Sequence, residues 1–235
     1  MLNFLILRWL CTLLLKLAVP DALPAPVPPV APLPPPVQDT LPKPVSAKPR
    51  IPDYDSLQWT DVALADSSIV LDIKYATTDN FVETQLYECP RCLLRPQVTQ
   101  ALLRALRELK SQGYGFKMYD CYRPLPIQWK LWEKVPDRRY VADPRKGSMH
   151  NRGAAVDLTL TDSTGLELDM GTPFDFFGKK AYHAYLDLPE DVLKRRALLK
   201  TTMERHGFQA TKTEWWHYAY VRRNYALSDY VWDCP

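Results

Sequence analysis

Glycine and histidine are scarce in this chain, and no charge of one sign runs for long. Only 8 of 235 residues are glycine. No Gly-rich stretch offers the backbone cradle that phosphates and dinucleotides require. The net charge is +3, from 30 basic and 27 acidic residues spread along the chain. No basic run exceeds a few residues, which argues against a nucleic-acid partner. No internal repeat is present, so a solenoid or propeller is excluded. With 4 histidines in all, any imidazole-based site must draw on His150, His183, His206 and His217.

What is there falls into three zones. Residues 1–19 are almost wholly apolar, interrupted by Asn3, Arg8, Thr12 and Lys16. Such a segment reads as a secretory signal peptide or an uncleaved anchor. Its two cations make it a poor membrane span. The expected location is therefore exported, periplasmic or extracellular, with or without a membrane tether. Residues 20–52 hold 13 of the 22 prolines and none of the glycines. Proline fixes φ and removes backbone donors, so this stretch reads as an extended, disordered linker and not a packed core. Residues 53–235 carry every glycine and most of the aromatics, enough for one compact domain.

Within that domain the periodicities predict an α+β fold: a small, mainly antiparallel sheet flanked by helices. Val98, Ala101, Leu102, Ala105, Leu106 and Leu109 recur at helical spacing within a helix over 94–112, stopped by Gly113. A strand follows over 114–122 and a short helix over 127–134. Residues 147–151 read as a loop, 154–161 as a buried strand, and 189–206 as a second long helix with Gly207 at its end. The aromatic and threonine content of 208–221 predicts one strand.

Two short segments carry the chemistry. In Ser148-Met149-His150-Asn151-Arg152-Gly153-Ala154-Ala155-Val156-Asp157 a histidine is followed by a carboxylate on a buried strand. A buried carboxylate is costly unless paired or bound to a metal. The alternative is an ordinary salt bridge from Asp157 to a core arginine. In Glu214-Trp215-Trp216-His217 a second carboxylate precedes a second imidazole. On a strand an offset of three puts side chains on opposite faces, so Glu214 is expected in the turn before the strand or on a bulge. His150, Asp157 and His217 together would give three protein ligands with one open position, the coordination of a catalytic zinc. Arg123 ends a strand before Pro124, where a cation can project over a cleft and meet an oxyanion. Asp120 could orient it.

Four cysteines lie in the domain: Cys89, Cys92, Cys121 and Cys234. Structural bridges are favoured over free thiols, and four cysteines allow three pairings. A redox pair or half a zinc knuckle at Cys89-Pro90-Arg91-Cys92 is the competing reading.

The ordered segments resemble a family. Lys74-Tyr75-Ala76-Thr77-Thr78-Asp79-Asn80-Phe81, Gly113-Tyr114-Gly115, Tyr119-Asp120-Cys121-Tyr122-Arg123-Pro124, Ser148 through Leu160, Met170-Gly171-Thr172-Pro173-Phe174-Asp175-Phe176 and Glu214-Trp215-Trp216-His217-Tyr218 are similar to segments of the zinc D-alanyl-D-alanine dipeptidases. The likeness spans roughly Tyr54 to Tyr220. It implies one Zn²⁺ per chain on His150, Asp157 and His217, Glu214 as catalytic base, and Arg123 as oxyanion stabiliser. Ser148 would bind the substrate carboxylate, and Asp175 its free ammonium. Tyr75 and Tyr87 would line the same pocket. The implied reaction is hydrolysis of D-Ala-D-Ala to free D-alanine, with the dipeptide as the partner. Two rivals share the scaffold: a D,D-carboxypeptidase or endopeptidase acting on cell-wall peptides, and a non-catalytic zinc protein that binds peptidoglycan.

Overall fold

The computed structural model describes residues 54–234. The leader-or-anchor over 1–19 and the linker over 20–52 lie outside the described residues. Chain order begins with β1 (Thr60–Asp61), the single turn α1 (Val62–Ala65), β2 (Val70–Leu71) and β3 (Leu93–Leu94). Next come helix α2 (Pro96–Lys110), β4 (Gly115–Asp120), α3 (Leu125–Lys134) and β5 (Ala155–Thr161). Helix α4 (Glu190–Arg205), β6 (Phe208–Ala210) and β7 (His217–Tyr220) complete the fold.

The main sheet has the order β2-β4-β5-β7-β6. Its β2–β4 pair is parallel and every other pair antiparallel. β1 and β3 form a separate antiparallel pair. This is the α+β arrangement that the periodicities predict. Helices α2 and α4 pack on each other and on the sheet. The apolar stripe of α2 that the sequence marks is fully buried there.

β5 is the spine. All seven of its residues are buried, because β4 and β7 flank it on both edges. Side chains alternate faces along a strand. Val156, Leu158 and Leu160 therefore enter the core, and Asp157 and Thr159 face the other way.

Most element boundaries differ from the sequence reading by one or two residues, and three differences bear on the frame. Helix α2 begins at Pro96, not Leu94. Leu93 and Leu94 are taken by β3, and Arg95 before the proline is extended (φ −62°, ψ 141°), as the clash with the proline ring requires. The single strand expected over 208–221 is two strands, with Ala210 paired to Tyr218 across a connection of six residues, 211–216. The polar run Thr211-Lys212-Thr213-Glu214 turns the chain there. His150 and Asn151, expected in a loop over 147–151, form with Arg152 one 3₁₀ turn closed by Gly153 at φ +65°.

The cysteines form two bridges, Cys89–Cys234 and Cys92–Cys121. Cys89 and Cys92 therefore do not pair with each other, and the redox and zinc-knuckle readings are excluded. Cys92–Cys121 ties the chain after β4 to β3. Cys89–Cys234 holds the C-terminal tail, whose Trp232 packs on Tyr87 with ring centroids 5.2 Å apart.

Gly153 tests how tightly this frame is set. A Cβ there would lie 2.4 Å from Cζ3 of Trp59, on a left-handed backbone. Gly153→Ala should cost about 2–5 kcal/mol, the sum of the backbone and overpacking penalties. A guanidinium unfolding midpoint would show it; an unshifted midpoint would mean that the turn relaxes freely.

Candidate metal centre and its cleft

The register of the sheet assembles the site. Asp120 on β4 is the partner of Asp157 on β5, and Asp157 is the partner of His217 on β7. Cross-strand partners have Cβ atoms about 5 Å apart. Three polar side chains thus stand in one row across adjacent strands. A register shift between Met118 and Asp120 makes this possible. Without that extra residue Tyr119 would stand opposite Asp157.

His150 reaches the row from its 3₁₀ turn. Its Nδ1 lies 2.6 Å from the carbonyl oxygen of Cys121, which makes that nitrogen the protonated one. Nε2 is then free to face Nδ1 of His217 at 3.1 Å and Oδ2 of Asp157 at 3.3 Å. Asp157 Oδ1 lies 2.9 Å from His217 Nδ1. One nitrogen from each imidazole and one carboxylate oxygen all fall within 4.8 Å of one another, a set that could hold a metal ion. The donor chemistry fits zinc: two borderline nitrogens, one oxygen, and a carbonyl behind His150 that fixes its tautomer.

Arg123 lies beside this group, its side chain buried. Nε and Nη2 donate to Asp120 Oδ2 at 2.9 and 2.6 Å, and Nη1 donates to Gln128 Oε1 at 2.9 Å. Nη2 is 3.8 Å from Asp157 Oδ2. The salt-bridge alternative for Asp157 is thus met in part by the same geometry that gathers the metal donors. The guanidinium also sits 5.1 Å from the Tyr75 ring centroid.

A cavity of about 330 Å³ opens on these groups. Its walls include His150, Asp157, His217, Glu214, Arg123, Ser148, Asp175 and Tyr75. Eight of the nine site residues expected from the sequence are therefore brought together. Tyr87 is the exception. It does not line this cavity but lies one layer behind, its hydroxyl donating to Asp120 Oδ1 at 2.8 Å. Its role as a pocket wall is thus corrected: a ring 6.0 Å from Tyr75 is close in space yet screened from the cleft. Glu214 lies in the turn before β7, one of the two expected placements.

The cleft is short of positive charge. Burial raises the Glu214 carboxyl to about 8, with Asp157 and Asp175 adding to the effect. Burial also raises Asp175 to about 8, and the Asp157 charge adds to it. Asp157 itself is held below the usual range: burial opposes this, but His150 and His217 outweigh it. Burial would depress His150, yet the Asp157 carboxylate holds it above its ordinary value. Asp175 takes a left-handed backbone (φ 56°) and accepts from the Tyr75 hydroxyl at 3.0 Å.

Two residues that the sequence reading passed over complete the frame. Asn151 accepts from the Ser148 backbone at 2.7 Å and donates to the Arg123 carbonyl at 2.8 Å. Gln128 passes its amide to the Ala142 carbonyl at 2.8 Å. Asn151 stood inside the quoted motif; Gln128, on a short amphipathic helix, carried no signal of its own.

Comparison with known proteins places the chain among the metallopeptidases. It belongs to the peptidase M15 family described as D-ala-D-ala dipeptidase, whose model matches residues 55–231. A D-alanyl-D-alanine dipeptidase of Escherichia coli (strain K12) is 35% identical over 164 residues, 70% of this chain and 85% of the relative. One from Enterococcus faecium is 33% identical over 185 residues, 70% of this chain and 91% of the relative. Another, from Enterococcus faecalis (strain ATCC 700802 / V583), is 32% identical over 178 residues, covering 66% and 87%. Among solved structures, a zinc complex of the vancomycin-resistance D,D-pentapeptidase VanY is similar at TM-score 0.38 and 15% identity, over 55% of this chain and 73% of that one.

Asp120 is the partner that neutralises Arg123. Asp120→Ala should destabilise the protein by about 3–5 kcal/mol, because it leaves a buried cation without its main counter-charge. Urea unfolding measures this; a loss under 1 kcal/mol would mean that Asp157 compensates.

Proposed function

We propose that the chain hydrolyses the dipeptide D-Ala-D-Ala to two molecules of D-alanine, with one zinc ion held by His150, Asp157 and His217. The observation that carries the reading is the convergence of those three donors within 4.8 Å, in a cleft also lined by Glu214, Arg123 and Asp175. Zinc bound there would polarise the peptide carbonyl and acidify the attacking water. Glu214 takes the proton of that water and delivers it to the leaving amine as the amide C–N bond breaks. Its raised pKa suits both halves of that transfer. Arg123, held rigid by Asp120 and Gln128, donates to the oxyanion as charge develops on the carbonyl oxygen. Tyr87 acts only through Asp120.

Substrate recognition follows from charge. The carboxylates of buried Asp157 and half-buried Asp175 and Glu214 outnumber Arg123, so the cleft favours added cations. The metal supplies one, and the dipeptide ammonium, paired with Asp175 and Tyr75, supplies the other. Ser148, fixed by Asn151, receives the carboxylate end. An N-blocked peptide has no ammonium and leaves Asp175 unpaired, at a cost of about 1–3 kcal/mol.

Export belongs to the same reading. The support is the pair of disulfides, which persist in oxidising compartments such as the periplasm or outside the cell. Residues 1–19 would serve as leader or anchor and 20–52 as tether.

Two measurements test the proposal. Glu214→Ala should keep its zinc and lose turnover of D-Ala-D-Ala by about 10²–10⁴-fold; zinc content by atomic absorption together with near wild-type turnover would remove Glu214 from its role. Removing the metal with a chelator should abolish hydrolysis and added zinc restore it, while N-acetyl-D-Ala-D-Ala stays intact throughout. Chelator-resistant hydrolysis would overturn the metal reading.

A further inference from the structure

A second cavity, of about 490 Å³, lies next to the first. The two share two lining residues, Phe81 and Asp175. Asp175 is fixed in place by its bond to Tyr75. Phe81 is the apolar member of the shared wall.

The ring is held in place. It meets Tyr75 edge-on at 6.3 Å and Phe177 at 5.0 Å, and Phe177 in turn packs on Tyr140 at 4.9 Å. Three loops thus interlock through aromatic faces. The loop carrying Phe81 is stapled from within by its neighbour. Asn80 donates to the carbonyls of Lys74, Thr77 and Thr84, and its Oδ1 accepts from the Val82 backbone. A side chain positioned this firmly acts as a barrier, not as a flap.

The second cavity is acidic. Asp79, Glu83 and Glu167 line it against one cation, Lys74; Glu167 is also paired with Lys117 at 3.1 Å, which leaves Glu83 in no ion pair among the described residues. The Lys74 ammonium is already engaged by Asp79 at 2.7 Å and Asp72 at 3.1 Å. A cationic group would find counter-charge there; an anionic one would not.

We propose that Phe81 is the residue that restricts substrates to two residues on the amino side, and that the cavity behind it is a latent subsite for a preceding residue bearing a cationic group. The inference rests on the dipeptidase reading of the site, in which the substrate amine lies at Asp175. In the extended reaction, water adds to the carbonyl of the penultimate D-Ala and the terminal C–N bond breaks. The proton goes to the leaving amine, releasing D-alanine and a shortened peptide.

The experiment compares zinc-loaded full-length wild type, Phe81→Ala and Phe81→Leu on D-Ala-D-Ala, Lys-D-Ala-D-Ala and Glu-D-Ala-D-Ala. Removing the ring should raise kcat/KM for the lysyl tripeptide by about tenfold or more over wild type, the scale set by one pocket contact. The glutamyl tripeptide should gain less, and the dipeptide should lose activity because it is held less firmly. Should either variant lose turnover of all three substrates, calorimetric affinity for the lysyl tripeptide decides: tighter binding than wild type supports the barrier, and equal or weaker binding overturns it. Turnover of the lysyl tripeptide by wild type at the dipeptide rate also overturns it. Wild type that fails on D-Ala-D-Ala defeats the dipeptidase reading instead, and the binding comparison still decides this one.

Discussion

A row of buried polar side chains crossing three strands is the constraint from which the rest of the molecule follows. Asp120, Asp157 and His217 occupy partnered positions on β4, β5 and β7. Two carboxylates so close in a buried place would be untenable alone. Arg123 answers Asp120 through two hydrogen bonds, and the imidazoles of His150 and His217 answer Asp157. The balance still raises the carboxyls of Asp175 and Glu214 above the ordinary carboxylate range. A cleft with that deficit is poised for cations, which links the stability problem of the fold to its chemistry.

The scaffold around the row is built to limit motion. His150 is not on the sheet, so its direction depends on a 3₁₀ turn, on Gly153 and on the Cys121 carbonyl. Cys121 is itself bridged to Cys92, just before β3. Asn151 ties the same turn to Ser148 and to the chain at Arg123. Each local bond fixes a group that no helix or strand would otherwise hold. This is the pre-organisation that electrostatic catalysis requires, since donors aimed in advance need not reorient when charge develops. On the far side of Asp175, interlocked aromatic rings do by packing what these hydrogen bonds do by direction.

Legibility followed the range of the signal. The apolar stripe of α2 and the buried run of β5 are local patterns, and both stand where periodicity puts them. The 208–221 segment misled because threonine and tryptophan favour strands in general. In this chain the threonines flank a lysine and precede a glutamate in a turn, and the tryptophans that follow are buried. Tyr87 misled for another reason. Its neighbourhood was right, but whether a ring faces a cleft or the layer behind it depends on the path of a loop that carries no periodicity.

The sequence by itself determined which chemistries were available. Two imidazoles, a strand carboxylate, a turn carboxylate and a strand-end guanidinium are properties of residue type and order. Only the tertiary structure decided who meets whom. The shift between Met118 and Asp120 selects the acid that faces Asp157, the cysteines choose partners across 145 and 29 positions, and Phe81 comes to stand between two cavities. These are contacts between distant parts of the chain, fixed by strand register and close packing, and neither leaves a trace in the spacing of neighbouring residues.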